Sequence, residues 1–359
     1  MRTIFKSLEA RRHFLADLAN APQQESRLSQ RTKGAMSAQA LRTHPAMTRE
    51  TLFLFTVLIA MGAGWGATQP LSKVAVSEGY RFFGLIFWQS VIGVLILGAV
   101  QLYRGKPLRV TRGALVVFLF VSLVGTVIPN ATSYEAIRHL PSGLTSILLA
   151  LIPMVAFPVA LALGNERFQV SRLIGLALGL AGVALIVGPE ASLPDRAAIV
   201  FVPLSLISVL CYAFEGNVLA RWGTAGMDAT EVLFGATLLS TAFALILALG
   251  TRQFIDPRGP WGAPDLALIA TSTIGIIVYT LYVWMVVRAG PVFAGQVSYL
   301  VTGFGVLWSI LFLGESYSGY IWAAMGLMLL GLFFVQPRPR LANDPLLAPD
   351  KDAKLHANG

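Results

Sequence analysis

Ten apolar stretches run through this chain at short intervals: 52–72, 82–102, 114–134, 141–163, 173–188, 198–219, 231–250, 266–287, 291–313 and 319–336. A helix needs about 20 apolar residues to cross the hydrocarbon core of a bilayer. Inside that core every backbone amide must be satisfied within its own segment or by close neighbours. Helices of this length meet both conditions. The shortest stretch, 173–188, has 16 residues, so its ends are the least sharply defined. Composition agrees, since 55% of the 359 residues are hydrophobic and 13% are charged, against about 25% charged in an ordinary soluble domain. A soluble fold of this composition would expose apolar patches that soluble monomers rarely carry. A soluble enzyme, a disordered chain and a disulfide-rich secreted module are thereby excluded. The expected fold is an all-α membrane protein with ten transmembrane helices. The single Cys211 rules out an intramolecular disulfide and any Cys-based metal site.

The net charge of +9 comes from 27 basic and 18 acidic residues. Such a balance can signal a nucleic-acid partner, but here the basic residues flank the apolar stretches and form no single stripe. They therefore report orientation in the bilayer, and no nucleic-acid partner is expected. With both termini in the cytoplasm, 21 Lys and Arg fall inside and 6 outside. Without residues 1–46 the ratio is 13 to 6. The expected location is the cell (inner) membrane, multi-pass, with both termini cytoplasmic. Residues 1–47 are polar and basic, lack the apolar core of a signal peptide, and read as a disordered extension, with Met36 and Met47 as alternative starts. Residues 337–359 read as a disordered cytoplasmic tail.

Comparing the chain with itself at an offset of 150 brings Arg138-His-Leu-Pro141 onto Arg288-Ala-Gly-Pro291, Tyr134 onto Trp284 and Gly164 onto Gly314. One residue of slippage brings Gly164-Asn-Glu166 onto Gly314-Glu315, and Trp65–Lys73 pairs with Tyr212–Arg221 near offset 147–148. Short matches arise singly by chance in apolar sequence; several near one offset argue for duplication. Each half holds five spans, an odd number, so the second copy must insert upside down. Inverted repeats place a substrate site near the bilayer midplane, between the halves.

Gly64-Trp-Gly-Ala-Thr-Gln-Pro70 in span 1, Leu140-Pro-Ser-Gly-Leu-Thr-Ser146 into span 4, Leu163-Gly-Asn-Glu-Arg167 after it and Gly179-Leu-Ala-Gly-Val-Ala-Leu-Ile-Val187 in span 5 carry a family resemblance. In these motifs, their order and their spacing, the chain resembles the EamA family of the drug/metabolite transporter superfamily over 48–336. The resemblance implies two five-helix repeats, 48–188 and 198–336, in a ten-helix bundle. It further implies movement of amino acids or other small metabolites, commonly outward. The second half departs from the pattern, since Gly314-Glu-Ser-Tyr317 lacks the basic residue of Gly164-Asn-Glu-Arg167. That argues against a shared ion-pair role for the two glutamates.

No Gly-x-x-x-x-Gly-Lys-Ser/Thr phosphate cradle and no Gly-x-Ser-x-Gly nucleophile elbow is present. His13, His44, His139 and His356 are scattered over the tails and one loop, so no metal constellation is expected, and no cofactor is called for. Glu215 is the one carboxylate clearly inside an expected span. An ionisable residue there is costly and usually faces a cavity or a partner. It fits a proton-coupling or substrate-amine-binding carboxylate. It also fits a glutamate reaching for the interface, or a structural pair with Arg221. Lys73, just past the outer end of span 1, reads as an interfacial anchor more than a ligand.

Polar and aromatic residues at mid-span depth are candidates to line a central pocket: Trp65, Gln69, Asn130, Tyr134, Tyr212, Tyr279, Tyr282, Gln296 and Tyr299, with Glu215. Tyr134, near a span end, is the weakest of these. Ring faces with a few amides suit an amphipathic zwitterion or an aromatic metabolite. Pro153 aligns with Gly303, within Thr302-Gly-Phe-Gly305, so Pro153, Gly303 and Gly305 are hinge candidates; ordinary packing is the competing reading. Gly175-x-x-x-Gly179 reads as close helix packing. The expected function is a secondary transporter, an exporter of small organic metabolites working by alternating access. Its partners would be a small-molecule substrate, the lipid bilayer and a coupling proton. An intramembrane lipid-modifying enzyme, or a structural or signalling membrane protein, is the alternative; an enzyme would need clustered catalytic side chains that are not found.

Overall fold

A computed structural model describes residues 49–335 apart from 191, 192 and 194. The N-terminal extension 1–47 and the tail 337–359 lie outside the described residues, as do His13, His44 and His356. The described part of the N-terminal unit, residues 49–53, is a turn of helix. The second unit, from Leu54 onward, contains the helical bundle.

The regular elements are all helical among the described residues. Span 1 is α1 (Arg49–Ser77), and span 2 is α2 (Phe82–Tyr103). Span 3 runs through α3 (Arg112–Phe120), a π-helical segment (Val121–Val127) and α4 (Ile128–His139). Span 4 is broken into α5 (Ser142–Leu149) and α6 (Ile152–Ala162), and span 5 is α7 (Val170–Val187). A 3-10 turn (Arg196–Phe201) leads into span 6, α8 (Val202–Trp222); α9 (Ala229–Gly250) and α10 (Ala263–Ala289) are spans 7 and 8. Span 9 is again broken, into α11 (Pro291–Ala294) and α12 (Val297–Leu313), and α13 (Gly319–Val335) is span 10. Eight spans are long and apolar enough to cross a bilayer, and the two shorter ones, α12 and α13, have 17 residues each. This is the ten-helix arrangement expected from the sequence.

Two of the helices begin where a polar side chain takes up their free amides. Thr111 accepts a hydrogen bond from the Ala114 amide at the start of α3. Asp228 accepts from the amides of Thr230 and Glu231, while Glu231 accepts from the Asp228 amide, a reciprocal cap at the start of α9. The breaks also have local causes. Proline has no N–H to give and is tolerated in a first helical turn; Pro153 is the second residue of α6. Span 4 therefore interrupts just before it, where Ala150 and Leu151 donate to carbonyls three residues back.

Small residues let the helices approach, as expected in a bilayer, where apolar side chains gain little by leaving lipid. The most extensive contact joins α7 to α13, and the next joins α2 to α9. A methyl group added at Gly175 would lie 2.6 Å from the Gly331 carbonyl oxygen, and one at Gly331 2.7 Å from that of Gly175. Spans 5 and 10 are repeat counterparts, and so are spans 2 and 7, so each pair packs on its own equivalent. Around these contacts lie two apolar clusters. Leu144, Ile147, Leu148, Leu151 and Met154 meet Ile186, Met328 and Leu332 in one. Ala75, Leu85, Ile86, Tyr134, Ala244 and Leu268 form the other.

Candidate functional site

Glu215 lies on α8, which packs against α4, α6 and the π-helical segment. That segment carries Gly125, whose absent side chain leaves the space filled by the Glu215 carboxylate; a Cβ there would collide with both carboxylate oxygens. π-Helical turns are rare and recur at functional sites. Glu215 is half-buried and, among the described residues, makes no ion pair and no hydrogen bond. The suggested partner, Arg221, is exposed at the far end of α8 and does not pair with it. The charge of Glu215 reaches Cys211 and Tyr212 on its own helix and Tyr279 on α10.

The other candidates fall into groups. Trp65 of α1 and Tyr282 of α10 meet with ring centroids 5.7 Å apart. Tyr282 is one turn beyond Tyr279, so it shares a helix face with the ring near Glu215. Gln69 accepts a hydrogen bond from the Thr145 hydroxyl at 3.2 Å, tying span 1 to α5. Tyr299 packs against the larger apolar cluster. Asn130 is half-buried and shows no side-chain partner among the described residues, while Gln296 is exposed. Tyr134 is buried and donates to Gln89 at 2.9 Å, which places it among the packing residues.

The hinge candidates separate. Pro153 adjoins the interruption of span 4, whereas Gly303 and Gly305 lie inside the unbroken α12. Span 9 is interrupted earlier, at Gly295 and Gln296. A Cβ on Gly303 meets nothing within 4 Å, so that position is open. One on Gly305 would strike the Ser146 side chain of α5, a close contact between spans 9 and 4.

Two charged residues missed as structural fasteners hold one end of the bundle, where α4 turns into α5. The Lys73 ammonium donates to the carbonyls of Ile137, Arg138 and Leu140 at 2.8, 3.1 and 3.0 Å. Its three donors go to the last carbonyls of α4 and to that of Leu140 just beyond it, where a cation also complements the helix dipole. Across the turn, Gly314 ends α12 in a left-handed conformation, φ 64°, which glycine adopts without strain. Glu315 is thereby delivered to the start of α5. It accepts from the Ser142 amide (2.8 Å), the Ser142 hydroxyl (2.9 Å), the Gly143 amide (3.1 Å) and the Tyr317 hydroxyl (2.5 Å). Burial and that carboxylate push the Tyr317 phenol well above its usual range. A cavity of about 250 Å³ opens beside this fastening, lined by Lys73, His139, Pro141, Leu193, Asp195, Ala198 and Glu315.

The opposite end is held differently. Arg104 and Lys106 each reach Asp228 at 2.7 Å, and Arg109 lies 3.4 Å from the buried Glu231. Burial opposes ionisation of Asp228, but the hydrogen bonds from Arg104 and Lys106 win and hold its carboxyl well below the usual range. Asn165, the position after Gly164, donates to the Asn217 carbonyl at 2.8 Å, and Asn217 donates to Ala156 and Ala213. Glu166 pairs with Arg172 within its own half. The two glutamates of the repeat thus do different work, as the missing basic residue near Glu315 implied.

Known proteins share this architecture. Residues 52–188 and 199–336 each match the EamA-like transporter family. Two relatives are each 26% identical: the uncharacterized transporter YvbV of Bacillus subtilis, over 82% of this chain and 93% of its own, and the uncharacterized inner membrane transporter YedA of Escherichia coli, over 80% and 92%. A solved crystal structure superposes with a TM-score of 0.53 at 21% identity, covering 81% of this chain and 98% of its own, a likeness of fold.

Proposed function

The chain belongs to the EamA-like transporter family, and from that membership we propose that it is a secondary transporter that exports small organic metabolites, amino acids among them, by alternating access. The repeats, bounded at 48–188 and 198–336, are its two moving halves. The observation that carries the reading is Glu215, a carboxylate within a span that has no ionic partner among the described residues. A structural carboxylate at that depth is normally paired; one left unpaired is available to a proton or a ligand. Trp65, Tyr212, Tyr279 and Tyr282 supply its ring faces, and Gln69, Asn130, Gln296 and Tyr299 complete the proposed cavity wall. The protein is placed in the inner membrane, with a coupling proton carried by Glu215.

The test is transport in proteoliposomes. Glu215→Gln should abolish uphill movement driven by a pH gradient while leaving substrate exchange largely intact. An amide keeps the size and hydrogen-bonding reach of the carboxylate but neither takes up nor releases a proton at physiological pH. Full gradient-driven transport by the mutant would leave Glu215 with no part in coupling.

A further inference from the structure

We propose that Asn165 and Glu315 are paired latches, equivalent residues of the two repeats that close opposite ends of the bundle and release in turn. The inference rests on the transporter reading and names the contacts that part when each end opens. Both residues follow a glycine in the left-handed conformation, Gly164 at φ 71° and Gly314 at φ 64°. These glycines are the pair that aligns at the repeat offset of 150. A left-handed glycine turns the chain off the end of a helix, here spans 4 and 9, and the next side chain reaches across to the other half. Glu315, in the second half, accepts from the Ser142 hydroxyl and from the Ser142 and Gly143 amides at the start of α5. Asn165, in the first half, donates to the carbonyl and side-chain oxygens of Asn217, at 2.8 and 3.3 Å, near the end of α8.

Both latches bear on span 4, and its interruption at Ala150 and Leu151 lies between them. The piece α5 is held by Glu315, with the Ser142 and Ser309 hydroxyls 2.7 Å apart beside it. The piece α6 receives Asn217 on its Ala156 carbonyl at 3.1 Å. Hinges are a few residues at element ends that absorb the backbone change, so each piece can swing without dragging the other. The long contacts between the halves are not one-ended in this way. The α2–α9 pair is tied at both ends, by Trp88 to the Ile255 carbonyl at 3.0 Å and by Arg104 and Lys106 to Asp228. The α7–α13 pair meets backbone to backbone at Gly175 and Gly331. Opening one end thus parts a few hydrogen bonds at one latch and leaves these pairs intact.

The test measures distances between spin labels by pulsed electron paramagnetic resonance, on purified full-length protein lacking Cys211 in lipid nanodiscs, and it needs no substrate. Labels at His139 and Ser316 span the Glu315 end, and labels at Arg167 and Arg221 span the Asn165 end; all four positions are exposed. Glu315→Gln sets an amide NH2 against donors that the carboxylate accepted. It should raise the ratio of long to short distances at least tenfold for the 139–316 pair, without lengthening the 167–221 pair. Asn165→Ala should do the opposite. Asp256→Asn, which removes an exposed loop pair with Arg258, should move neither. An unmoved distance at the weakened end in either variant makes that contact a static fastener and overturns the proposal. Lengthening at both ends in either variant marks a general loss of packing and overturns it equally. If one variant is not monodisperse, the other latch decides by the same criterion. Wild type that moves solutes in proteoliposomes while the variants shift no distance loses the latches and keeps the transporter. Latches that respond as expected in a protein that moves no solute do the reverse.

Discussion

Lys73 and Glu215 are both charged residues in long apolar helices, and their surroundings give them opposite work. The Lys73 ammonium is fully spent on three carbonyls at the end of α4, so it acts as a cap. Hydrogen bonds involving a charged group contribute roughly 1.5–3 kcal/mol each, and their loss leaves buried acceptors unpaired. Lys73→Met should therefore destabilise the protein by about 2 kcal/mol or more, read as a lower thermal midpoint of the purified protein, while Lys73→Arg keeps part of the effect. An unshifted midpoint with weakened substrate binding would make Lys73 a ligand instead. The sequence marked both residues as worth weighing. It did not decide between their roles, because a side chain's partners come from helices 60 or more residues away.

Helices and their interruptions make the next scale, and here glycines of like appearance differ. Gly179 is buried against Met154 and Leu151, and Gly305 against Ser146, whereas Gly303 faces open space. Gly179→Leu and Gly305→Leu should thus cost several kcal/mol as overpacked contacts and reduce the yield of monodisperse protein. Gly303→Leu should stay within about 1 kcal/mol of wild type, since a helix interior favours leucine over glycine. Melting curves of the three variants test this, and a Gly303→Leu protein as damaged as the others would show that the position is closed. Span 4 is interrupted just before Pro153, but Pro70 lies inside the unbroken α1 and Pro158 inside α6, so a proline permits a break without fixing one. The interruption of span 9 falls at Gly295 and Gln296, eight residues before Gly303. Glycine permits a break without dictating one, so offset alignment alone misplaced it. The π-helical segment had no sequence signal at all. Its extra residue is tolerated through the packing of span 3 against α8 and α9.

For the whole molecule, an odd number of spans per repeat makes a firm prediction about sidedness. In a variant lacking Cys211, a cysteine at position 252 should react with an impermeant reagent from outside the cell, and cysteines at 109 and 288 only from inside. Outside labelling at 288 would break the inverted arrangement. At this scale the sequence by itself marked the spans and their number, because these follow from local composition, about 20 apolar residues and a flanking charge, while the order and spacing of its motifs carried the two-fold repetition and the family resemblance. Tertiary structure alone decided that Glu315 fastens α5 across the halves, that Asn217 ties span 6 to span 4, and that the Glu215 carboxylate rests unpaired on Gly125. These are meetings between residues far apart in the chain. Apolar helices that gain little by leaving lipid are arranged by shape and by a few polar contacts, and neither is written in the hydropathy of any one segment.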